Sequence, residues 1–208
     1  ALELSNVGID FILIDVAHGH HKHVKDALSV LKSRIDIPII AGNIATAKAG
    51  LDLVEWGADC LRVGIGGGSL CSTRIQTGFG IPNISTIQNI SEALGSNNID
   101  IPIIADGGIR SSGDIAKALA AGADTVMLGS LLAGTYESPG DILNSGHKIY
   151  RGSASLATKI AHGQNERNIE GVSTKIKYKG TVSSIIDDLS DGLRSAFSYA
   201  GARNISQY

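Results

Sequence analysis

Five short apolar runs, each followed by glycine or a polar cluster and then mostly by a helical pattern, constrain this 208-residue chain more than any other feature. The runs are Phe11–Val16, Ile37–Ala41, Cys60–Val63, Ile101–Ala105 and Thr125–Leu128. Their β-branched content and flanking Gly or Pro favour buried strands over fragments of helix. Amphipathic stretches lie between them at His23–Leu31, Lys48–Trp56, Ile84–Leu94 and Gly113–Ala121. Strands that alternate with helices imply parallel βαβ units, because a parallel connection needs a crossover. A doubly wound sheet fits that alternation as well. The polar and glycine residues separate the two, because they follow every strand: Asp15–His18, Gly42–Thr46, Gly64–Cys71, Asp106–Arg110 and Gly129–Ser130. Active groups at the carboxyl ends of all strands are the habit of the (β/α)8 barrel.

Five strands cannot close an eight-stranded barrel, and Ala1–Asn6 reads as the tail of a helix. The expectation is an α/β fold holding the last five strand–helix units of a TIM barrel, with residues 1–208 as the C-terminal part of one catalytic domain. A complete smaller fold is the alternative. After Gly134 the pattern changes, and residues 135–180 read as an active-site flap with a small hairpin at Thr174–Tyr178 before Gly180. Thr181–Ala200 places Ile185, Ile186, Leu189, Leu193 and Phe197 near helical spacing and predicts a terminal amphipathic helix.

Several function classes fall away on composition. A formal charge of −2 without a long basic cluster argues against a nucleic-acid or membrane-surface partner. No apolar run approaches the roughly 18 residues that a membrane span needs. ALELSNVGID lacks the basic start of a signal peptide. Cys60 and Cys71 form no CxxC pair, which disfavours structural zinc and fits a reducing, cytoplasmic setting.

Glycine is the outlier at 26 residues, nearly double ordinary usage, and it is densest in VGIGGGSLCSTRIQTGFG, Val63–Gly80. A backbone stripped of side chains can fold round an anion with its N–H groups inward. Cys71 sits on that loop beside Ser72 and Thr73, so a thiol on a phosphate-cradling loop points to covalent catalysis on a phosphorylated substrate. A glycine hinge with a buried thiol is the alternative. IADGGIRSSGD and VMLGS add Asp106, Gly107, Gly108, Gly129 and Ser130 straight after two strands. Barrel loops after the last strands commonly bind phosphate through backbone N–H groups, and a carboxylate beside them suits a ribose diol. Together with Gly66–Ser69 they predict a nucleoside monophosphate site. GIGGGS is no dinucleotide fingerprint, since position 69 is Ser and the acidic residue about 20 positions on is missing. His20, His21 and His23 in AHGHHKH read as a solvated helix start rather than metal ligands, His18 as a residue that could face the substrate cleft, and Trp56 as core packing.

GNIAT, VGIGGGSLCSTR, IPIIADGGIRSSGDIAKALAAGAD, VMLGSLLAG, ESPG, YRGSAS, IEG and DGLRSAFSYAGA together resemble the IMP dehydrogenase/GMP reductase family, from Phe11 to the end of the chain. One departure is Gly67, where family loops read GxGPGS or GxGCGS. The resemblance implies a (β/α)8 barrel, a homotetramer and a purine nucleoside monophosphate (GMP or IMP) as substrate. It makes Cys71 the nucleophile at purine C2, with Thr73 and Glu170 managing proton transfer. Asp106 matches the ribose ligand, and Ser69, Gly108, Gly129 and Ser130 match the phosphate cradle. Ser153, Ala154 and Ser155, between Gly152 and Gly171, match the base-binding segment. Backbone carbonyls of Gly66, Gly68 and Cys71 match the dehydrogenases' potassium site.

Two activities share the implied cysteine adduct. A dehydrogenase passes hydride from IMP to NAD and hydrolyses the adduct with a long flap carrying an Arg-Tyr pair. A reductase uses NADPH to deliver hydride to C2 of GMP after ammonia has left. Here only 18 residues separate Arg151 from Glu170 and no Arg-Tyr pair occurs. Arg167, three positions before Glu170, matches a nucleotide-contacting arginine of the reductases. YRG at Tyr150–Gly152 and TGFGIPN look dehydrogenase-like. The reductase is the favoured expectation. A catalytically silent nucleotide-binding regulator and a flavin-binding barrel remain the non-family alternatives.

Overall fold

A computed structural model describes residues 1–152, 155–163, 169 and 171–208. The chain divides into two compact units. The first comprises Ala1–Ile65, Ile81–Asp106 and Lys117–Met127. It holds a parallel sheet of β1 (Ile12–Asp15), β2 (Ile39–Ile44), β3 (Cys60–Val63), β4 (Ile103–Asp106) and β5 (Thr125–Met127), ordered β1-β2-β3-β4-β5. All five predicted strands are present, displaced by at most three residues. A strictly sequential order has no reversal point, which sets it apart from a doubly wound sheet and matches consecutive units of a barrel wall.

The helices of this unit are α1 (Leu2–Asn6), α2 (Lys22–Lys32), α3 (Ala47–Glu55) and α5 (Asn83–Ser96), with the second half of α6 (Ser112–Ala120). Thr46 caps α3 by accepting the Ala49 N–H, the local reason that helix begins where it does. Every residue of β2 is buried, as a strand covered on both faces must be. Ile39, Ile44, Leu53, Leu61, Ile87 and Ile90 are almost wholly inaccessible. α3 and α5 pack closely enough that a Cβ on Gly50 would sit 3.1 Å from Ile90 Cγ2.

A device repeats along the sheet. The sequences Gly57-Ala58-Asp59 and Gly122-Ala123-Asp124 each precede a strand. The Asp59 carboxylate accepts the Ile39 N–H and the Asp124 carboxylate accepts the Ile103 N–H, both at 2.7 Å. Each aspartate thereby satisfies the first backbone donor of the neighbouring strand and fixes the register of the pair. Gly122 adopts φ +103°, and any side chain there would collide with Ser91.

The second unit comprises Gly66–Gly80, Gly107–Ala116 and Leu128–Tyr208. It contains α4 (Thr73–Thr77), the start of α6, β6 (His147–Arg151), α7 (Leu156–Ala161), β7 (Ser173–Lys177) and α8 (Val182–Ala200). β6 and β7 pair antiparallel from His147↔Lys177 to Arg151↔Ser173. The small hairpin expected at Thr174–Tyr178 is instead a single strand, β7, whose partner is β6 at His147–Arg151. Mixed polar composition hid β6 because its outer positions, Ile149 included, face solvent. α4 and α7 were also not anticipated, each being too short to show a helical period. α8 forms as predicted. Thr181 caps it and Gly201 ends it at φ +70°.

Candidate functional site

In the first unit, residues of four strands and the loop after one of them hold a polar cluster. Arg62 of β3, its side chain 14% exposed, pairs with Asp15 Oδ1 of β1 at 2.7 Å. Its other guanidinium nitrogens reach Asp106 Oδ2 of β4 at 2.9 and 3.0 Å. Burial opposes charge on Arg62, but the hydrogen bonds and charges of Asp15 and Asp106 outweigh it and hold the guanidinium above its ordinary value. Asn43 of β2 donates to Asp106 Oδ2 and to the Gly64 carbonyl, both at 2.7 Å. Two acceptors on Nδ2 fix the amide orientation. Asn43 Oδ1 is then the one buried side-chain polar atom without a hydrogen-bond partner among the described residues. These contacts to Asp106 all fall on Oδ2.

The second unit carries the cysteine loop. The Cys71 N–H donates to the Gly68 carbonyl at 3.1 Å, closing a tight turn. The Cys71 thiol donates to Thr73 Oγ1, also at 3.1 Å. Gly171 forms an isolated β-bridge with Cys71 and another with Ser155, and the Val172 N–H donates to the Leu70 carbonyl at 3.1 Å. A glycine is required at position 107, because a Cβ there would lie 2.7 Å from the Gly67 carbonyl carbon. Two glycine loops thus touch backbone to backbone. Cys60 differs from Cys71 in its setting. Burial, then the charges of Asp124 and Asp59, push its thiol up to about 11.

Tyr150 of β6 brings the phosphate-loop candidates together. Its hydroxyl lies 3.4 Å from Ser69 Oγ and the same distance from where a Cβ on Gly129 would be. Beside it a cavity of about 440 Å³ is lined by Gly129, Leu132, Ala133, Ile149 and Tyr150, among others. Ser130 accepts at its carbonyl from Lys179 Nζ at 2.6 Å. The Gly152 N–H donates to the Val172 carbonyl at 3.0 Å. The structure therefore joins Cys71 to Thr73 and Gly171, and links Ser69 to the surroundings of Gly129 through Tyr150. Gly108 follows Gly107 at φ +79°. Asp106 belongs to the cluster of the first unit. Glu170, Arg167, Ser153 and Ala154 lie outside the described residues.

Sequence reasoning missed Arg62, Asn43 and Tyr150. A charged residue inside the apolar run CLRV and an amide inside IIAGNI were the available signals. His21 caps α2 and His23 is exposed in its first turn, as read, but the reading of His20 needs correction. His20 Nε2 meets Asp52 Oδ2 at 2.7 Å and stacks on Trp56 at 5.5 Å, so it is tied down rather than solvated. Hydrogen bonds from Lys48 and then His20 hold the Asp52 carboxyl below its ordinary value. Trp56 is half-buried, stacked on His20 with Lys25 Nζ 5.6 Å from its ring, so it is a platform more than core. His18 is exposed. No group of three metal-ligating His, Cys, Asp or Glu side chains exists among the described residues. No described helix is long and apolar enough to cross a membrane.

A parallel sheet with its polar groups at the strand carboxyl ends, and a cysteine turn touching a second glycine loop, define an α/β fold of the TIM-barrel type. The family model for the IMP dehydrogenase / GMP reductase domain matches residues 1–208, and the chain belongs to that family of purine-nucleotide oxidoreductases. Inosine-5'-monophosphate dehydrogenase of Aquifex aeolicus is 44% identical over 217 residues, covering 98% of this chain and 44% of that protein. The enzyme of the same name from Thermoplasma acidophilum is 45% identical, covering 99% of this chain and 44% of that protein. A cysteine-to-alanine variant of GMP reductase from Trypanosoma brucei, crystallised with guanosine 5'-monophosphate, superposes with a TM-score of 0.93 at 41% identity. That match covers all of this chain and 45% of that one. The chain spans less than half the length of these relatives.

Proposed function

We propose that this chain carries the catalytic machinery of a GMP reductase, as part of a single barrel domain. In this reading the Cys71 thiolate adds to C2 of GMP, ammonia departs, and a thioimidate joins C2 to sulfur. Hydride then arrives at C2, the C–S bond breaks and IMP leaves. NADPH supplies that hydride. The observation that carries the reading is the 3.1 Å contact between Cys71 and Thr73 in a turn bridged by Gly171, next to Glu170 in sequence. The Thr73 hydroxyl offers a short path for the proton taken up by the leaving amino group, and Glu170 supplies the acid. The brief segment between Arg151 and Glu170, with no Arg-Tyr pair, favours reduction over hydrolysis of the adduct.

Substrate recognition is assigned residue by residue from the family resemblance. Ser69, Gly108, Gly129 and Ser130 hold the phosphate, while Gly152, Ser153, Arg167 and Gly171 hold base and nucleotide. Asp106 takes the ribose diol, and the unpaired Asn43 Oδ1 fits a ligand hydroxyl beside it. The sequential sheet offers no dinucleotide crevice, so NADPH binds through loops at the strand ends instead. A potassium ion fits the carbonyls of Gly66, Gly68 and Cys71, since the Gly68 oxygen keeps a second lone pair beyond its turn bond. The whole protein is read as a cytoplasmic homotetramer.

IMP dehydrogenase, which uses NAD, is the second reading, favoured by the names of the curated relatives at 43–45% identity. Full-length protein given GMP with NADPH, and separately IMP with NAD, decides between them. Ammonia and IMP from the first mixture support the reductase. Sustained XMP from the second, at an equal or greater rate, supports the dehydrogenase.

A further inference from the structure

The segment after Gly129 is fastened from behind by two lysines that no catalytic role has claimed. Lys148 on β6 is 3% exposed, yet its ammonium meets no carboxylate among the described residues. It donates to three backbone carbonyls instead: Thr135 at 2.9 Å, Ser138 at 2.5 Å and Tyr136 at 3.5 Å. Lys179, just past β7, donates to the carbonyls of Ser130 at 2.6 Å and Leu131 at 3.2 Å. Backbone bonds reinforce both, with the Lys179 N–H on Gly134 at 2.9 Å and the Tyr136 N–H on Gly180 at 2.7 Å. Desolvating an ammonium is expensive, so a buried lysine with every proton on a main-chain oxygen acts as a fastener rather than an ion-pair partner.

The other end of the same hairpin holds the cysteine loop. Val172 accepts from the Gly152 N–H and donates to the Leu70 carbonyl, and Gly171 bridges Cys71. Between the ends, Tyr150 lies against both Ser69 and Gly129. A stiff antiparallel pair thus has one end clamped on the Gly129–Ser138 turn and the other on the residue before the nucleophile candidate.

We propose that the β6–β7 hairpin, clamped by Lys148 and Lys179, couples occupation of the phosphate turn to the positioning of Cys71. The proposal rests on the phosphate-cradle reading given above. Binding energy from a non-reacting part of a substrate can be spent on ordering the reacting group, and a hairpin rigid at both ends is a physical means of doing so. Lys148 and Lys179 are positioning residues in this scheme, touching neither the phosphate nor the purine.

Inorganic phosphite, a dianion that occupies the cradle without reaching C2, is the probe. Full-length protein is treated with iodoacetamide with and without saturating phosphite, and Cys71 labelling is followed by peptide mass. Phosphite should accelerate labelling about fivefold or more, the lower end of ordinary coupling between sites. Lys179→Met should abolish the acceleration while phosphite still binds by calorimetry, and Lys179→Arg should restore much of it. Lys148→Met should behave alike, and because Lys148 is buried, exposed Lys179 carries the test if that variant fails to fold. Phosphite that binds without changing the labelling rate overturns the coupling, as does an acceleration that survives in Lys179→Met. Phosphite that does not bind, together with guanosine binding as tightly as GMP, overturns the cradle reading and the coupling with it.

Discussion

The Cys71 thiol donates a hydrogen bond to the Thr73 hydroxyl at 3.1 Å, two residues further along the same turn. Sulfur and oxygen are therefore held together by the loop itself. Replacing Cys71 with Ala should abolish turnover and leave GMP affinity nearly unchanged, measured by steady-state kinetics and calorimetry. Cys60→Ala should retain activity. An inactive Cys60→Ala with an active Cys71→Ala reverses the assignment.

Cys60 makes a separate prediction about pH. Its thiol is raised from an ordinary 9.0 to about 11 in the folded chain. Between those values the unfolded chain sheds the proton and the folded chain keeps it, so stability falls as pH rises from 9 towards 11. Cys60→Ser removes that component of the slope. Denaturant titrations of both proteins at pH 8, 9.5 and 11 measure it, and parallel slopes rule it out.

Asp106 holds Arg62 and Asn43 at once. Asp106→Ala leaves the buried Asn43 amide and the half-buried Arg62 guanidinium without that partner, at a cost of about 1–3 kcal/mol for the buried one. GMP and IMP should both bind more weakly, and thermal stability should drop. Ser130→Ala should weaken both nucleotides without that loss of stability. Unchanged nucleotide affinity in Asp106→Ala defeats the ribose assignment.

Much of this was legible in the chain and some was not. The five strands announced themselves as short, largely apolar runs between Gly, Pro and polar residues, although only β2 is buried at every position. Cys71, Asp106 and Gly129 stood out because glycine and polar residues fall straight after such runs. β6 did not, since a strand such as His147–Arg151 with exposed positions carries Lys, Tyr and Arg between its few apolar residues. Its partner at Ser173–Lys177 lies more than twenty residues further along, and no local pattern reveals pairing across that distance. Lys148 reads as a surface residue in any sequence, because the carbonyls that bury it belong to a turn ten residues earlier. His20 was missed for the same reason, its partner Asp52 standing on α3, some thirty residues further along.

Helix α8 offers a packing test within one unit. A Cβ on Gly192 would run into the Ser112 side chain at the start of α6. Gly192→Ala should destabilise by about 1–3 kcal/mol through overpacking. Adding Ser112→Gly should recover most of that loss, read as the denaturant midpoint of the double variant. Equal stability of wild type and Gly192→Ala disproves the close approach.

Glu170→Gln separates chemistry from binding. Under the reductase reading it should suppress ammonia release from GMP far more than it weakens GMP binding, because the carboxyl group matters most as the proton moves. The comparison is single-turnover ammonia release against the dissociation constant. Equal losses in both identify Glu170 as a binding residue.

The pairing of Arg151 with Ser173 pinches the segment numbered 152–172 at its neck. A chain closed at one point pays for extra length only logarithmically, about 0.6 kcal/mol for each doubling. Residues added inside that neck leave every rung of the ladder below it untouched. The hairpin is thus an insertion port: the segment that the proposed mechanism ties to the fate of the cysteine adduct is also one that can lengthen or shorten at little expense to the ladder. The length of this one segment can therefore vary while the ladder that closes it stays as it is.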